Sequence, residues 1–308
     1  MNWSLFFDLT VSGLTLGSLY SLIALGYSMV YGILKLLNFA HGDVYMIGAF
    51  IGWFTLHGLG GPTSPTVSGA FVVFMMFIVA MLGCGVLGVA IERFAYRPLR
   101  NAPRIAPLIS ALGVSIFLQN SALLLFGASF RDYNTFSLIG VKTYNIGQLF
   151  FSVPQLMTVI VAAGLMVALT LFVARSRLGK AMRSTSFDRE AASMMGIDVD
   201  RVISVTFFIG SALAGAAGVM FVLVFGQAYH FMGFIAGLKG FTAAVIGGIG
   251  SIPGAMAGGL IVGLGESYAT GYLPQGSTFQ SLYVFALLIL VILIRPSGLF
   301  GKAAIQKV

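Results

Sequence analysis

Nine runs of about twenty apolar residues constrain this chain more than any other feature. They are Leu9–Leu34, Leu36–Leu56, Val67–Ile91, Ala106–Phe126, Val153–Ala174, Val202–Phe225, Phe231–Ile249, Ile252–Tyr272 and Phe279–Ile294. A helix of about 20 apolar residues crosses the roughly 30 Å hydrocarbon core of a bilayer. Backbone polar groups in lipid must bond within the protein, so such runs fold as helices. Only 8% of the 308 residues are charged and 58% are hydrophobic, whereas soluble domains carry roughly 25% charged residues. The expected fold is all-α: a polytopic transmembrane helical bundle of eight or nine segments, residues 1–308 forming one membrane domain. The seventh and eighth runs lie so close together that they are also compatible with re-entrant half-helices. The N-terminal MNWSLFFD lacks a basic region, and the apolar run after it is too long for a signal peptide, so it is expected to remain as a span.

The charges concentrate between the fifth and sixth runs. Residues 175–201 hold ten of the 26 charged side chains: Arg175, Arg177, Lys180, Arg183, Asp188, Arg189, Glu190, Asp198, Asp200 and Arg201. Ions at membrane depth cost several kcal/mol, so this stretch is a loop. Its basic excess predicts a cytoplasmic position. Good helix formers over Asp188–Met195 predict a short helix, with Ser186 or Asp188 as N-cap and Gly196 as its stop. Arg93, Arg97, Arg100 and Arg104, then Lys35, and then Arg295, Lys302 and Lys307 fall on the same side if the N-terminus is outside and the C-terminus cytoplasmic. Arg131 and Lys142 fall in an outside loop and Lys239 inside a span. The positive-inside bias therefore accounts for the net charge of +8, and no nucleic-acid partner is expected.

Small residues recur at four-residue spacing on three helix faces: Gly13, Gly17, Ser21; Gly210, Ala214, Gly218; and Ala255, Gly259, Gly263. Lipid gives no hydrophobic drive for helix association, so close approach through small residues must supply it.

Two stretches stand out as a translocation pathway. Leu37–Gly48 places Asn38, His41, Gly42 and Asp43 at the start of an apolar run. Polar groups at that depth usually face the protein interior or a water-filled cavity. A surface position near Lys35, or a satisfied core histidine, competes with that reading. Phe241–Gly259 is interrupted by Gly247, Gly248, Gly250, Pro253 and Gly254. Paired Gly- or Pro-interrupted segments point to transport pathways, while a tight turn between spans explains the same residues. No His, Asp or Glu set has metal-ligand spacing, and the single Cys84 sits in an apolar run. Lys239 has no evident partner, and Glu266 is expected near the outer surface. A phosphate loop is absent: Gly179-Lys180 and Gly301-Lys302 lack the earlier glycine and the hydroxyl residue. The chain is thus not expected to be an ATPase or any other enzyme.

Glu190-Ala191-Ala192, followed three residues on by Gly196, resembles the E-A-A-x-x-x-G core of the cytoplasmic loop in permease subunits of bacterial ABC importers, without its apolar-x-Leu-Pro tail. With LGSLYSLIALGYSMVYGILKLLNFAHGDVYMIG, IERFAYRPLR, LISALGVSIFLQN, GKAMR, EAASMMGI and FTAAVIGGIGSIPGAMAGG, the whole chain is similar to the LivH-type permeases for branched-chain amino acids. That resemblance implies one permease domain in an ATP-driven importer of leucine, isoleucine and valine. It implies a second related permease subunit, two cytoplasmic ATPase subunits and an extracytoplasmic substrate-binding protein as partners. ATP and magnesium would sit on the ATPases, leaving no cofactor on this chain. Relatives that import urea, short amides or other amino acids keep the substrate open. The coupling loop would act through Arg183, Asp188, Arg189, Glu190, Ala191, Ala192 and Gly196. An ion-coupled secondary transporter or a channel is the rival class, against which the loop motif and the scarcity of buried ionisable residues both argue.

Overall fold

The computed structural model describes residues 3–61, 68–100, 102, 103, 105–135, 138, 140, 143–146 and 149–301. Arg104, Lys142, Lys302 and Lys307, which enter the charge argument, lie outside them. Each of the nine apolar runs is a helix: α1 (Trp3–Leu34), α2 (His41–Gly58), α3 (Gly69–Ile91), α4 (Ile105–Phe126), α5 (Val153–Arg175), α8 (Val199–Phe225), α9 (Met232–Gly247), α10 (Ile252–Tyr272) and α11 (Gln280–Ile294). The charged loop folds as α6 (Arg177–Phe187) and α7 (Arg189–Met194). Five helices are long and apolar enough to cross a membrane by those criteria alone: α1, α3 with its extension to Leu99, α4, α5 and α8. The helices α9 and α11 have 16 and 15 residues.

The ends follow local chemistry. Ser152 caps α5 in a reciprocal box with Gln155, and Asp198 caps α8 by accepting from the Arg201 amide at 3.0 Å. Gly226, at φ 79°, stops α8. At 32 residues α1 is about 48 Å long. It ends at Lys35, whose φ of 55° is left-handed. The chain then doubles back without helix through residue 40, and α2 starts beside Gly26 of α1, two turns in from the end of α1. The second apolar run therefore begins as a re-entering strap and becomes helical only at His41.

Small faces set the core. The Gly13-Gly17-Ser21 face of α1 lies on the Ala255-Gly259-Gly263 face of α10. A Cβ built on Gly17 would come within 2.9 Å of the Leu260 Cα, and the Ser21 hydroxyl donates to the Met256 carbonyl at 2.8 Å. The third face, on α8, meets α1 at Gly26 and α2 at Tyr45–Ala49, while Gly215 meets Ala80 and Cys84 of α3. So α1, α2, α3, α8, α9 and α10 form the centre. Helices α4, α5 and α11 sit outside and expose large apolar side chains such as Phe117, Leu124 and Leu293.

One face of the bundle gathers the turn after α1, residues 92–100, α6–α7, the α9–α10 turn and the tail after α11. Arg189 reaches Ile33, Arg100 reaches Asp200, and Gly250 packs near Gly32. The other face carries a hairpin, β2 (Thr143–Ile146) with β3 (Leu149–Ser152), and a two-residue ladder, β1 (Arg131–Asp132) with β4 (Gln227–Ala228). Next to this ladder, the buried Tyr133 hydroxyl donates to the Ala49 carbonyl and fastens the loop over α2.

Candidate functional site

The segment α6–α7 lies outside the spans and carries the expected cap. The Asp188 carboxylate accepts from the Ala191 amide at 3.0 Å. Gly196, at φ 81°, and the Ile197 amide bonding back to Ala192 at 3.1 Å close the C-terminus. Three details differ from the sequence reading. Ser186 belongs to the preceding helix, because Asp188 is extended and splits the segment in two. Ala192 is buried against the chain itself, so of the two alanines only Ala191 faces outward. Arg183, still exposed, donates to the Val173 carbonyl, and Arg189 turns inward, donating to the Ile33 carbonyl through Nε (3.0 Å) and Nη2 (2.6 Å). Burial first, and then the neighbouring Arg100, pull the Arg189 pKa down from its ordinary value. A guanidinium remains charged even so.

Among its exposed charges, α6–α7 also presents large apolar side chains outward. Phe187, Met194 and Met195 are 95%, 85% and 83% exposed, with Glu190 and Ala191 exposed between them and Gly196 just after. A cavity of about 300 Å³ lies against this segment, lined by Leu34, Lys35, Arg100, Thr185, Phe187 and Arg189.

Residues 92–100 are more than a basic loop. Tyr96 is fully buried, and its hydroxyl donates to Asn38 Oδ1 at 3.0 Å and to the Leu37 carbonyl at 3.2 Å. Buried Glu92 accepts from Arg100 and from the Ser204 hydroxyl (2.8 Å), while Asp200 pairs with both Arg97 and Arg100. These contacts tie the end of α3 to the start of α8 and hold the re-entering strap in place.

The strap and the start of α2 bury Asn38, His41 and Asp43. Asp43 Oδ1 accepts from Gln119 of α4 at 3.0 Å, whereas Asp43 Oδ2 and His41 Nε2 have no hydrogen-bond partner among the described residues. Gly42 packs on α9: a Cβ there would lie 2.7 Å from the Gly237 Cα. These residues are thus in the protein interior. The Gly247–Gly254 stretch is not brought to them. It forms the α9–α10 elbow, with Gly248 and Gly250 at φ 104° and 92°, and Gly247 against Gly254, backbone to backbone. The tail amides of Leu299 and Phe300 donate to the Ile246 and Gly247 carbonyls at 2.8 and 3.0 Å, satisfying the end of α9. The turn reading therefore accounts for Gly247, Gly248 and Gly254, and Gly250 also lines a small cavity below α1.

One site escaped the sequence reading. Lys239 of α9 and Glu266 of α10 pair at 2.6 Å, both buried, and Gln280 of α11 donates to the same Oε1. They border a cavity of about 350 Å³ with Leu19, Tyr20, Tyr45 and Phe221. The available signal was two lone, opposite charges in consecutive apolar runs, which at membrane depth must find each other or water.

The family model described as the permease component of branched-chain amino acid transport systems matches residues 9–294. The chain is 45% identical over 301 residues to the high-affinity branched-chain amino acid transport system permease protein LivH of Escherichia coli, covering 96% of each chain. It is 42% identical over 304 residues to the corresponding protein BraD of Pseudomonas aeruginosa, covering 97% of this chain and 96% of that one. With a bundle of membrane-length apolar helices and a match along nearly its whole length, the chain belongs to the family of permease components of branched-chain amino acid transport systems.

Proposed function

We propose that this chain is the permease subunit of an ATP-driven importer that moves branched-chain amino acids inward across the cytoplasmic membrane. It pairs with a second, related permease, rests on two ATPase subunits that hold ATP and magnesium, and receives substrate from an extracytoplasmic binding protein. The N-terminus lies outside, and the face carrying α6–α7 and the tail after α11 is cytoplasmic. The full-length likeness to named branched-chain amino acid permeases supports the substrate class.

The observation that carries the coupling role is the exposure of Phe187, Met194 and Met195 on a charged segment outside the spans. Large apolar groups facing water there mark a protein interface. An apolar cleft in an ATPase subunit is the fitting partner, with Asp188 and Gly196 setting the segment's shape and Glu190 and Ala191 at the contact. Arg189 gives the movement a route. It joins α7 to the Ile33 carbonyl in the last turn of α1, next to the strap that leads to Asn38, His41, Gly42 and Asp43.

Docking of a Phe or Met side chain contributes about 1.5–3 kcal/mol, so its loss weakens docking roughly ten- to a hundredfold. In the reconstituted complex, Phe187→Ser and Met194→Ser are expected to release the ATPase subunits on purification and to abolish binding-protein-stimulated ATP hydrolysis. Glu190→Gln, a solvated charge worth on the order of 1 kcal/mol or less, is expected to keep both. Unchanged stimulation in the two serine variants would reduce α6–α7 to a connecting loop.

A further inference from the structure

The Lys239–Glu266 pair is built like a recognition site more than a clasp. Both side chains are at least nine-tenths buried, on helices of the bundle centre, and both border the 350 Å³ cavity. A buried ion pair is weak evidence of a stabilising role, since replacing one by well-packed apolar residues is often neutral or stabilising. Charges kept at membrane depth are usually functional. The bonding is also lopsided. Glu266 Oε1 takes both Lys239 and Gln280, while Oε2 is buried with no hydrogen-bond partner among the described residues. Lys239 carries three N–H donors, and Glu266 is the acceptor it bonds. One acceptor and at least one donor are thus left without a bond among the described residues, beside a cavity whose wall combines Leu16, Leu19, Ile23 and Ile235 with Tyr20 and Tyr45.

We propose that this cavity holds an apolar α-amino acid in transit, with Lys239 and Glu266 receiving its zwitterionic head. The carboxylate of the cargo accepts from Lys239 Nζ, and its ammonium donates to Glu266 Oε2. The aliphatic side chain lies against the leucine and isoleucine wall. A head of paired opposite charges is neutral overall, so it joins the pair without adding net charge to the bilayer interior. Charge-assisted contacts on both ends are about twice as strong as neutral ones, and they reject an aliphatic molecule lacking either end. This assignment rests on the reading of the chain as an amino-acid permease and adds the place where the cargo is held.

The test uses the complete complex in proteoliposomes. The isosteric double variant Lys239→Met/Glu266→Gln leaves no unpaired charge, so it avoids the folding defect expected of either single change. We expect it to assemble with its partners and to keep ATP hydrolysis stimulated by the loaded binding protein. Its initial rate of labelled leucine uptake should fall about tenfold or more, the effect of losing roughly one charge-assisted contact. Wild-type uptake by this variant overturns the proposal. So does failure to assemble, which makes the pair a clasp, and so does joint loss of uptake and stimulated hydrolysis in an assembled complex, which makes it a transmission element. If the unmodified complex carries no amino acid, the underlying permease reading fails instead, and that outcome is separate from all three.

Discussion

A missing side chain is least replaceable in this chain where another backbone sits against it. A Cβ at Gly263 would fall on the Gly17 backbone, and one at Gly48 would lie 2.6 Å from the Gly215 Cα, whereas Gly164 has nothing within 4 Å. Inserting a methyl into such a contact costs about 1–3 kcal/mol through overpacking. Gly263→Ala is therefore expected to lower the melting temperature of the purified subunit clearly, and Gly164→Ala to leave it unchanged. Equal melting temperatures for the two would mean that the α1–α10 contact is looser than its geometry. Four-residue spacing made these faces readable in sequence, because it places small residues on one side of a helix. The inward turn of Arg189 and the burial of Ala192 were not readable. Both depend on how the segment lies against α1, which no local pattern encodes. The partner of Lys239 was missed for a similar reason, since its pairing with Glu266 depends on how α9 and α10 pack.

Element boundaries were legible wherever chemistry is local. Asp188 and Gly196 delimit α7, and Ile252–Tyr272 begins and ends where the apolar run does. The exception is the second run, where Leu36–Ala40 is apolar enough to extend a helix but instead forms the re-entering strap. Tertiary contacts decide it: the Tyr96 hydroxyl takes the Leu37 carbonyl and the Asn38 side chain, which a continuous helix would use differently. Asn38→Leu removes one net hydrogen bond, about 1 kcal/mol, and leaves the Leu37 bond in place. The variant is expected to insert and assemble, yet to import leucine more slowly as the strap loses its anchor. Uptake at the unmodified rate would remove the strap from the pathway.

At the scale of the whole molecule, the nine apolar runs announced nine helices, the second of them entered through the strap. The fold gathers the basic segments on one face. Single cysteines at Ser184 and Tyr144, both exposed and on opposite faces, in a Cys84→Ala background, should therefore react with an impermeant reagent from opposite sides of the membrane. Labelling of both from one side would contradict the proposed orientation. The central claim is that this bundle moves amino acids only when driven by ATP on partner subunits. Its most direct measurement is labelled leucine uptake into proteoliposomes holding the full complex, with the binding protein outside. Uptake should require ATP and magnesium on the side where the ATPases sit, and should vanish when this chain is omitted. Leucine uptake driven by an imposed proton or sodium gradient, with the ATPase subunits left out, would contradict it.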